Sequence, residues 1–332
     1  MEIFQRILII RLTAMGDVVL TLPAVHAIRE NFPAARISFL TTKENAALLR
    51  GFRNVDEAIT LDRAAFRSGN LWRMTSELFR LLRRLRAGKF SLALDLHGNG
   101  ESAWLTRLSG APQRWGFVKK PSRRRAYTQS LPHQHLHPAE SNCALLRYCG
   151  LNVGDLRNEF VLPPEALAAA RDFFSANQLS TEKPTLFIQP FTSAAQKNWP
   201  VENYLAVARH WKSRGVQIIF GGGPADRAAL EPARQERFVI SAGVPLLVTG
   251  GLMQLSTLVL GGDTGALHLA GALGKRVLML MHQATPGSAA PFQHPDWVVA
   301  APRPEAIGEI PTAEVNSAFA RIFSAPAGNV SC

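Results

Sequence analysis

The sequence predicts an α/β protein built as two doubly wound parallel-sheet domains facing across a cleft. Three observations predict it. Short apolar runs recur along the 332 residues, each ended by a polar or glycine turn and most followed by residues at helical spacing. The pattern pauses near Pro163-Pro164 and starts again at Thr185. The net charge of +12 is also unevenly divided: residues 1–160 carry 24 Lys and Arg against 13 Asp and Glu, whereas residues 161–332 are nearly neutral. A one-sided basic field attracts polyanions such as nucleic acid, an anionic membrane or a phosphorylated ligand.

Taken in order, Ile7 to Ile10 is short and wholly apolar, as a buried parallel strand requires. The turn Thr13-Ala14-Met15-Gly16-Asp17 follows, and Val18, Leu22, Val25 and Ile28 then repeat at helical spacing. Asp17 thus stands at the carboxyl end of a strand and the mouth of a helix, where ligands bind in open α/β sheets. The plain alternative is a cap stabilised by the helix dipole. Arg36 to Thr41 and Val55 to Leu61 read as strands, and Asn45 to Arg50 as a short helix. Leu71 to Arg86 reads as an amphipathic helix with Leu71, Leu78, Leu82 and Leu85 on one face and five arginines on the other. That basic face is expected to be solvated or to touch an anionic surface. Phe90 to Leu96 is a strand ending in the glycine turn His97-Gly98-Asn99-Gly100, and Ser102 to Leu108 begins the next helix.

Gln113 to Gln129 is read as a basic loop, with Arg114, Lys119, Lys120, Arg123, Arg124 and Arg125 among Trp115, Phe117 and Tyr127. Such a loop suits a phosphorylated lipid or sugar. Nucleic acid is disfavoured because no nucleic-acid-binding motif accompanies it. His133, His135 and His137 alternate without a carboxylate or Cys set to complete a metal site, so no metal is expected. Ala139 to Cys149 closes the first domain, expected over 1–160. A linker and connecting helix occupy 161–184, and the second domain covers 185–332.

In the second half, Thr185 to Pro190, Val216 to Phe220 and Arg276 to Met281 read as strands, with Phe238 to Ile240 a shorter one. Val201 to Arg214, Met253 to Val259, Ala266 to Leu273 and Ala313 to Phe323 read as helices. Gly262-Asp263-Thr264-Gly265 ahead of a helix is a candidate anion cradle, because the first helical N–H groups have no intrahelical partner. Thr192, Ser193 and Lys197 follow another strand of the same half, and a lysine there neutralises charge on a diphosphate leaving group. Gly221-Gly222-Gly223-Pro224 with Asp226 suits a nucleotide ribose but lacks the spacing of a dinucleotide fingerprint. No apolar run reaches the ~18–20 residues of a membrane helix. The first apolar run is interrupted by Arg11 and does not read as a signal peptide. Cys143, Cys149 and Cys332 are too few for a disulfide framework, and a cytoplasmic location is the expectation.

The combination RLTAMGDVVLTLPAVHAIRENFP, DLHGN, QPFTSAAQKNWP, GGGPAD and GGDTGALHLAGALG resembles glycosyltransferase family 9, the ADP-heptose:lipopolysaccharide heptosyltransferases. The resemblance covers about residues 5–325. It implies the GT-B architecture of two Rossmann-like domains, with acceptor on the first, nucleotide-sugar donor on the second and no metal or other cofactor in the chemical step. It implies that Asp17 is the catalytic base, although Ala14 replaces a frequent serine of that turn. Lys197 is then the residue that holds the donor diphosphate, and Thr192 and Ser193 are the hydroxyl pair of the same loop. Asp263, Thr264, Gly265 and His268 become donor-site residues. Asp226 matches the acidic ribose contact only approximately, since Glu is frequent there. The implied activity is inverting heptosyl transfer from ADP-heptose to a lipid A/Kdo-type inner-core acceptor, at the anionic cytoplasmic face of the inner membrane. Arg114, Lys119, Lys120 and Arg123–Arg125 would receive the acceptor. A nucleotide-sugar epimerase on the same scaffold, a transferase of another sugar and a non-catalytic binder of lipopolysaccharide precursors are the alternatives.

Overall fold

A computed structural model describes residues 4–283, 285, 287–303 and 306–324. Cys332 lies outside the described residues. Contacts divide the chain after Asn158 into two compact units. Among the described residues each unit contains one six-stranded sheet in which every neighbouring pair is parallel.

The first unit runs β1 (Arg6–Ile10), α1 (Met15–Val19), α2 (Leu22–Asn31), β2 (Arg36–Thr42), β3 (Glu57–Leu61), α3 (Arg63–Arg67), α4 (Leu71–Ala87), β4 (Leu92–Asp95), α5 (Gly100–Leu108), β5 (Gln113–Val118), β6 (Gln129–Pro132) and α6 (Pro138–Tyr148). Its strand order is β3-β2-β1-β4-β5-β6. The chain therefore reverses direction across the sheet between β1 and β4, and ligands bind beyond the carboxyl ends at such a switch point. Leu81 and Leu85 of α4 and Leu105 of α5 pack with Leu8, Ile10 and Ala93 of the sheet.

Four local readings change here. The first helix is two, α1 and α2, because Pro23 lacks the N–H that a continuous helix would need and stands instead in the first turn of α2. The face of α4 turned to the core is Glu77, Leu81 and Leu85, while Leu71 is 73% exposed. The Gln113–Gln129 segment contains strand β5 and a 3₁₀ turn over Pro121–Ala126 rather than one loop. Its Trp115, Phe117 and Tyr127 are buried, so they serve packing and present no stacking surface.

The second unit runs α7 (Pro164–Ala176), β7 (Thr185–Gln189), α8 (Val201–Lys212), β8 (Gln217–Phe220), α9 (Glu231–Gln235), β9 (Val239–Ile240), α10 (Leu246–Leu255), β10 (Leu258–Gly262), α11 (Gly265–Ala272), β11 (Arg276–Met281), β12 (Val298–Ala300) and α12 (Thr312–Ser324). The order β12-β11-β10-β7-β8-β9 repeats that of the first unit, with the switch between β7 and β10. The segment read as a helix over Met253–Val259 is the end of α10 followed by β10, a fully buried parallel strand. Its apolar run cannot be told from a buried helix by periodicity alone. Helix α7 packs on α10 within this unit. Trp199, Tyr204, Trp211 and Phe319 fill the core on the side of α8 and α12.

Candidate functional site

At the first switch point, β1 delivers the turn that leads into α1. Asp17 lies in the first turn of α1, and its Oδ2 accepts from the backbone N–H of Ala14 at 3.1 Å. The same oxygen is 2.6 Å from Arg11 Nη2. A cap and an ion pair thus fix one carboxylate that remains 33% exposed. Arg11 is itself held by the carbonyl of Leu96, the residue just beyond β4.

The turn after β4 is built around Asp95, which is fully buried. Its Oδ1 accepts from the N–H groups of His97 and Gly98, both at 2.9 Å, and its Oδ2 from Ser102 and Tyr127 hydroxyls at 2.8 and 2.6 Å. Burial raises its pKa, and the hydrogen bonds from Tyr127, Gly98, Ser102 and His97 oppose that rise. Gly98 has φ +68°, and a Cβ there would sit 2.9 Å from Phe117 Cβ, so the turn needs glycine twice over. Burial, followed by the Arg11 charge, pushes the His97 imidazole down to about 4 against the pull of Asp17. His97 is therefore neutral at pH 7. Lys119 and Arg63 add positive charge around it. Arg63 also bonds Glu101 at 2.5 Å and reaches Thr13 Oγ1 at 3.4 Å.

The basic residues predicted after β5 divide into two groups. Lys119, Lys120, Arg124 and Arg125 are exposed, and Arg123 reaches the Gly98 carbonyl at 3.4 Å. Arg114 does not join them. It stands at the amino end of β5, and its guanidinium holds the Ala126 and Ala111 carbonyls at 2.8 and 2.6 Å. His137 accepts from Ala139 N–H and caps α6. The described residues contain no group of three or more His, Cys, Asp or Glu arranged to hold a metal ion.

At the second switch point, β7 delivers the loop of Thr192, Ser193 and Lys197, and β10 delivers Asp263, Thr264 and Gly265. Gly261 and Gly262 let these segments meet. A Cβ on Gly261 would lie 2.4 Å from the Gln189 carbonyl oxygen, and one on Gly262 2.8 Å from Thr192 Cγ2. Lys197 Nζ is 2.7 Å from Asp263 Oδ2, and His268 Nε2 is 3.5 Å from Asp263 Oδ1. Burial pushes the Asp263 carboxyl up, but the His268 and Lys197 hydrogen bonds outweigh it and hold the group at about 2. Thr192 is committed to its own loop: its N–H donates to Asn198 and its hydroxyl to the Ala194 carbonyl, each at 2.8 Å. Ser193 is exposed. Thr264 caps α11 without a side-chain bond, and Gly265 opens the helix. Asp226 follows β8, next to β7, and its Oδ2 accepts from its own turn at Gly223 N–H, 2.7 Å away. Lys197, Asp263 and His268 thus form one bonded chain beside Thr192, while Asp226 belongs to a separate turn.

The sequence reading did not single out Arg11, Arg63 and His97. Arg11 stands there as a break in an apolar run and as the first residue of RLTAMGD, and His97 as part of a glycine turn and of DLHGN. Their signal was position, because each stands near the carboxyl end of a strand at the switch or on an element touching the Asp17 turn.

Two doubly wound parallel-sheet units make up the GT-B architecture, which solved heptosyltransferases and nucleotide-sugar epimerases share. The sequence model of "Glycosyltransferase family 9 (heptosyltransferase)" matches residues 78–309, and the chain belongs to this family. It is 26% identical over 307 residues to the lipopolysaccharide core heptosyltransferase OpsX of Haemophilus influenzae, covering 88% of this chain and 83% of that one. Among solved structures, a family 9 glycosyl transferase from Veillonella parvula superposes with TM-score 0.85 at 20% identity, covering 97% of both chains. The E. coli heptosyltransferase WaaC with ADP superposes with TM-score 0.81 at 18% identity, covering 96% of this chain and 99% of that one.

Proposed function

We propose that this glycosyltransferase moves a heptose from ADP-heptose to the phosphorylated inner core of lipopolysaccharide, with inversion at the anomeric carbon. The acceptor is Kdo-lipid A or its heptosylated form, met at the cytoplasmic face of the inner membrane. The observation that carries the reading is Asp17: a partly exposed carboxylate at the first switch point, fixed through one oxygen by Ala14 N–H and Arg11. The activities named for OpsX and WaaC support it.

Asp17 takes the proton of the acceptor hydroxyl as its oxygen attacks the anomeric carbon. The carbon–oxygen bond to the diphosphate breaks, and ADP leaves with the electron pair. Lys197 and the N–H groups opening α11 at Thr264 and Gly265 stabilise the charge developing on the diphosphate. Asp263, backed by His268, keeps the Lys197 ammonium in place. Thr192 shapes the diphosphate loop, Ser193 offers it a hydroxyl, and Asp226 contacts the ribose. Neutral His97 can accept a hydrogen bond from the acceptor without adding charge. Lys119, Lys120, Arg123, Arg124 and Arg125 receive the acceptor phosphates, whereas Arg114 is spent on backbone carbonyls. The reaction so written needs no metal or other cofactor.

A donor screen tests the reading. Purified protein with a Kdo-lipid A acceptor should release ADP from ADP-heptose and leave UDP- and GDP-sugars intact. Epimer formation from donor alone would assign the chain to the epimerase alternative, and turnover of a UDP- or GDP-sugar would assign it another sugar.

A further inference from the structure

The α3–α4 hairpin carries an exposed apolar face with no explanation in the packing of its unit. Trp72 is 80% exposed, Leu71 73%, Phe79 69% and Phe66 39%. Scattered surface apolar residues are ordinary, but four large ones exposed within residues 66–79 mark an interaction surface. Trp72 and Phe79 are seven residues apart on α4, so they lie on one stripe, with Arg83 one turn beyond Phe79 and Arg86 seven residues beyond it. This stripe points away from the buried Glu77–Leu81–Leu85 line. Helix α3, which ends in Phe66 and Arg67, packs against α4.

The charge around this face has one sign. Residues 63–87 contain seven arginines and a single acid, Glu77. Glu77 is buried and bonded twice by Arg80, at 2.7 and 2.6 Å. Arg63 and Arg84 pair with Glu101 and Glu57. Arg67, Arg73, Arg83 and Arg86 are exposed and form no ion pair among the described residues. Apolar and aromatic side chains interleaved with unpaired arginines match the layered chemistry of a lipid surface, whose headgroups are anionic and whose acyl boundary is apolar.

We infer that the α3–α4 face docks the protein on an anionic lipid bilayer, with Trp72, Phe79, Leu71 and Phe66 entering the headgroup–acyl boundary and Arg67, Arg73, Arg83 and Arg86 on the phosphates. The inference rests on the proposed function for the choice of a bilayer, since a lipid-borne acceptor has to be met at one. The same α3 begins with Arg63, which reaches Thr13 of the Asp17 turn.

The test uses the full chain and no donor, so its failure leaves the transfer assay standing. Co-sedimentation is measured with vesicles of phosphatidylcholine alone and of phosphatidylcholine mixed with phosphatidylglycerol. The parent should bind the anionic vesicles and not the neutral ones. Trp72→Ser with Phe79→Ser should lower that binding roughly tenfold or more, as should Arg67→Ala with Arg73→Ala and Arg83→Ala. Trp72→Phe should retain most of it, and all variants should keep the parent's thermal midpoint, because these side chains are exposed. Full binding by the Trp72→Ser/Phe79→Ser variant would overturn the proposal, since general basicity would then suffice. Absence of parent binding would also overturn it, as would a concentration-dependent dimer in light scattering that this variant abolishes, which would give the face to a second copy.

Discussion

Asp17 and Asp263 show how similar carboxylates come to stand in different surroundings. Asp17 stays one-third exposed, with one oxygen held by Arg11 and Ala14 N–H. Asp263 is more buried, with one oxygen facing Lys197 and the other His268. Its pKa is depressed from an ordinary 3.8 to about 2. A depressed folded-state pKa contributes stability that is fully present above the unfolded value and is lost as pH falls towards the folded one. Shifts of this size correspond to about 2 kcal/mol. Asp263→Asn should therefore unfold more easily than the parent above pH ~5, and the deficit should close as pH falls from about 4 towards 2. Denaturant titrations across that range measure it, and a deficit constant with pH would contradict the assignment. Both acids were legible in the sequence because each follows a buried strand at a glycine turn. The bonds that set their surroundings apart were not, since Arg11 to Asp17 and Lys197 to Asp263 are matters of side-chain direction.

At the scale of elements, the buried strands and the turns at their carboxyl ends were readable, because parallel strands covered on both faces are wholly apolar. The reading slipped where two physical demands overlap. Leu258 to Gly262 joins α10 without a polar break long enough to mark the change of period. Strand β5 hides its pattern because Arg114 buys no solvent exposure: it turns back onto carbonyls of its own segment. Glycines show the packing that patterns miss. Gly251 of α10 faces α7, and a Cβ there would come within 2.6 Å of Ala170 Cβ and 3.0 Å of the Ala166 carbonyl oxygen. Gly271 of α11 has nothing within 4 Å of such a Cβ. Gly251→Ala should therefore destabilise by about 1–3 kcal/mol despite alanine's better helix propensity. Gly271→Ala should stabilise by about 0.5–1 kcal/mol. Thermal or denaturant unfolding of the two variants checks the contrast, and equal signs would contradict the packing described.

For the molecule as a whole, the division of charge is the property that composition alone announced. Nearly all of the +12 lies in the first 160 residues, and Lys119, Lys120, Arg124 and Arg125 are exposed there. Exposed charges act at a range set by salt, with a Debye length of about 10 Å at 0.1 M. Raising ionic strength should therefore raise the KM for the phosphorylated acceptor several-fold while moving the KM for the nucleotide-sugar much less. Steady-state kinetics at two salt concentrations tests this, and equal shifts would remove the basic unit from acceptor capture. The most direct test of the whole account is Asp17→Asn, assayed for transfer and for ADP binding on the same preparation. Turnover should fall on the order of a hundred- to ten-thousand-fold with ADP affinity essentially retained. Turnover near that of the parent would contradict it and remove Asp17 from the role of base.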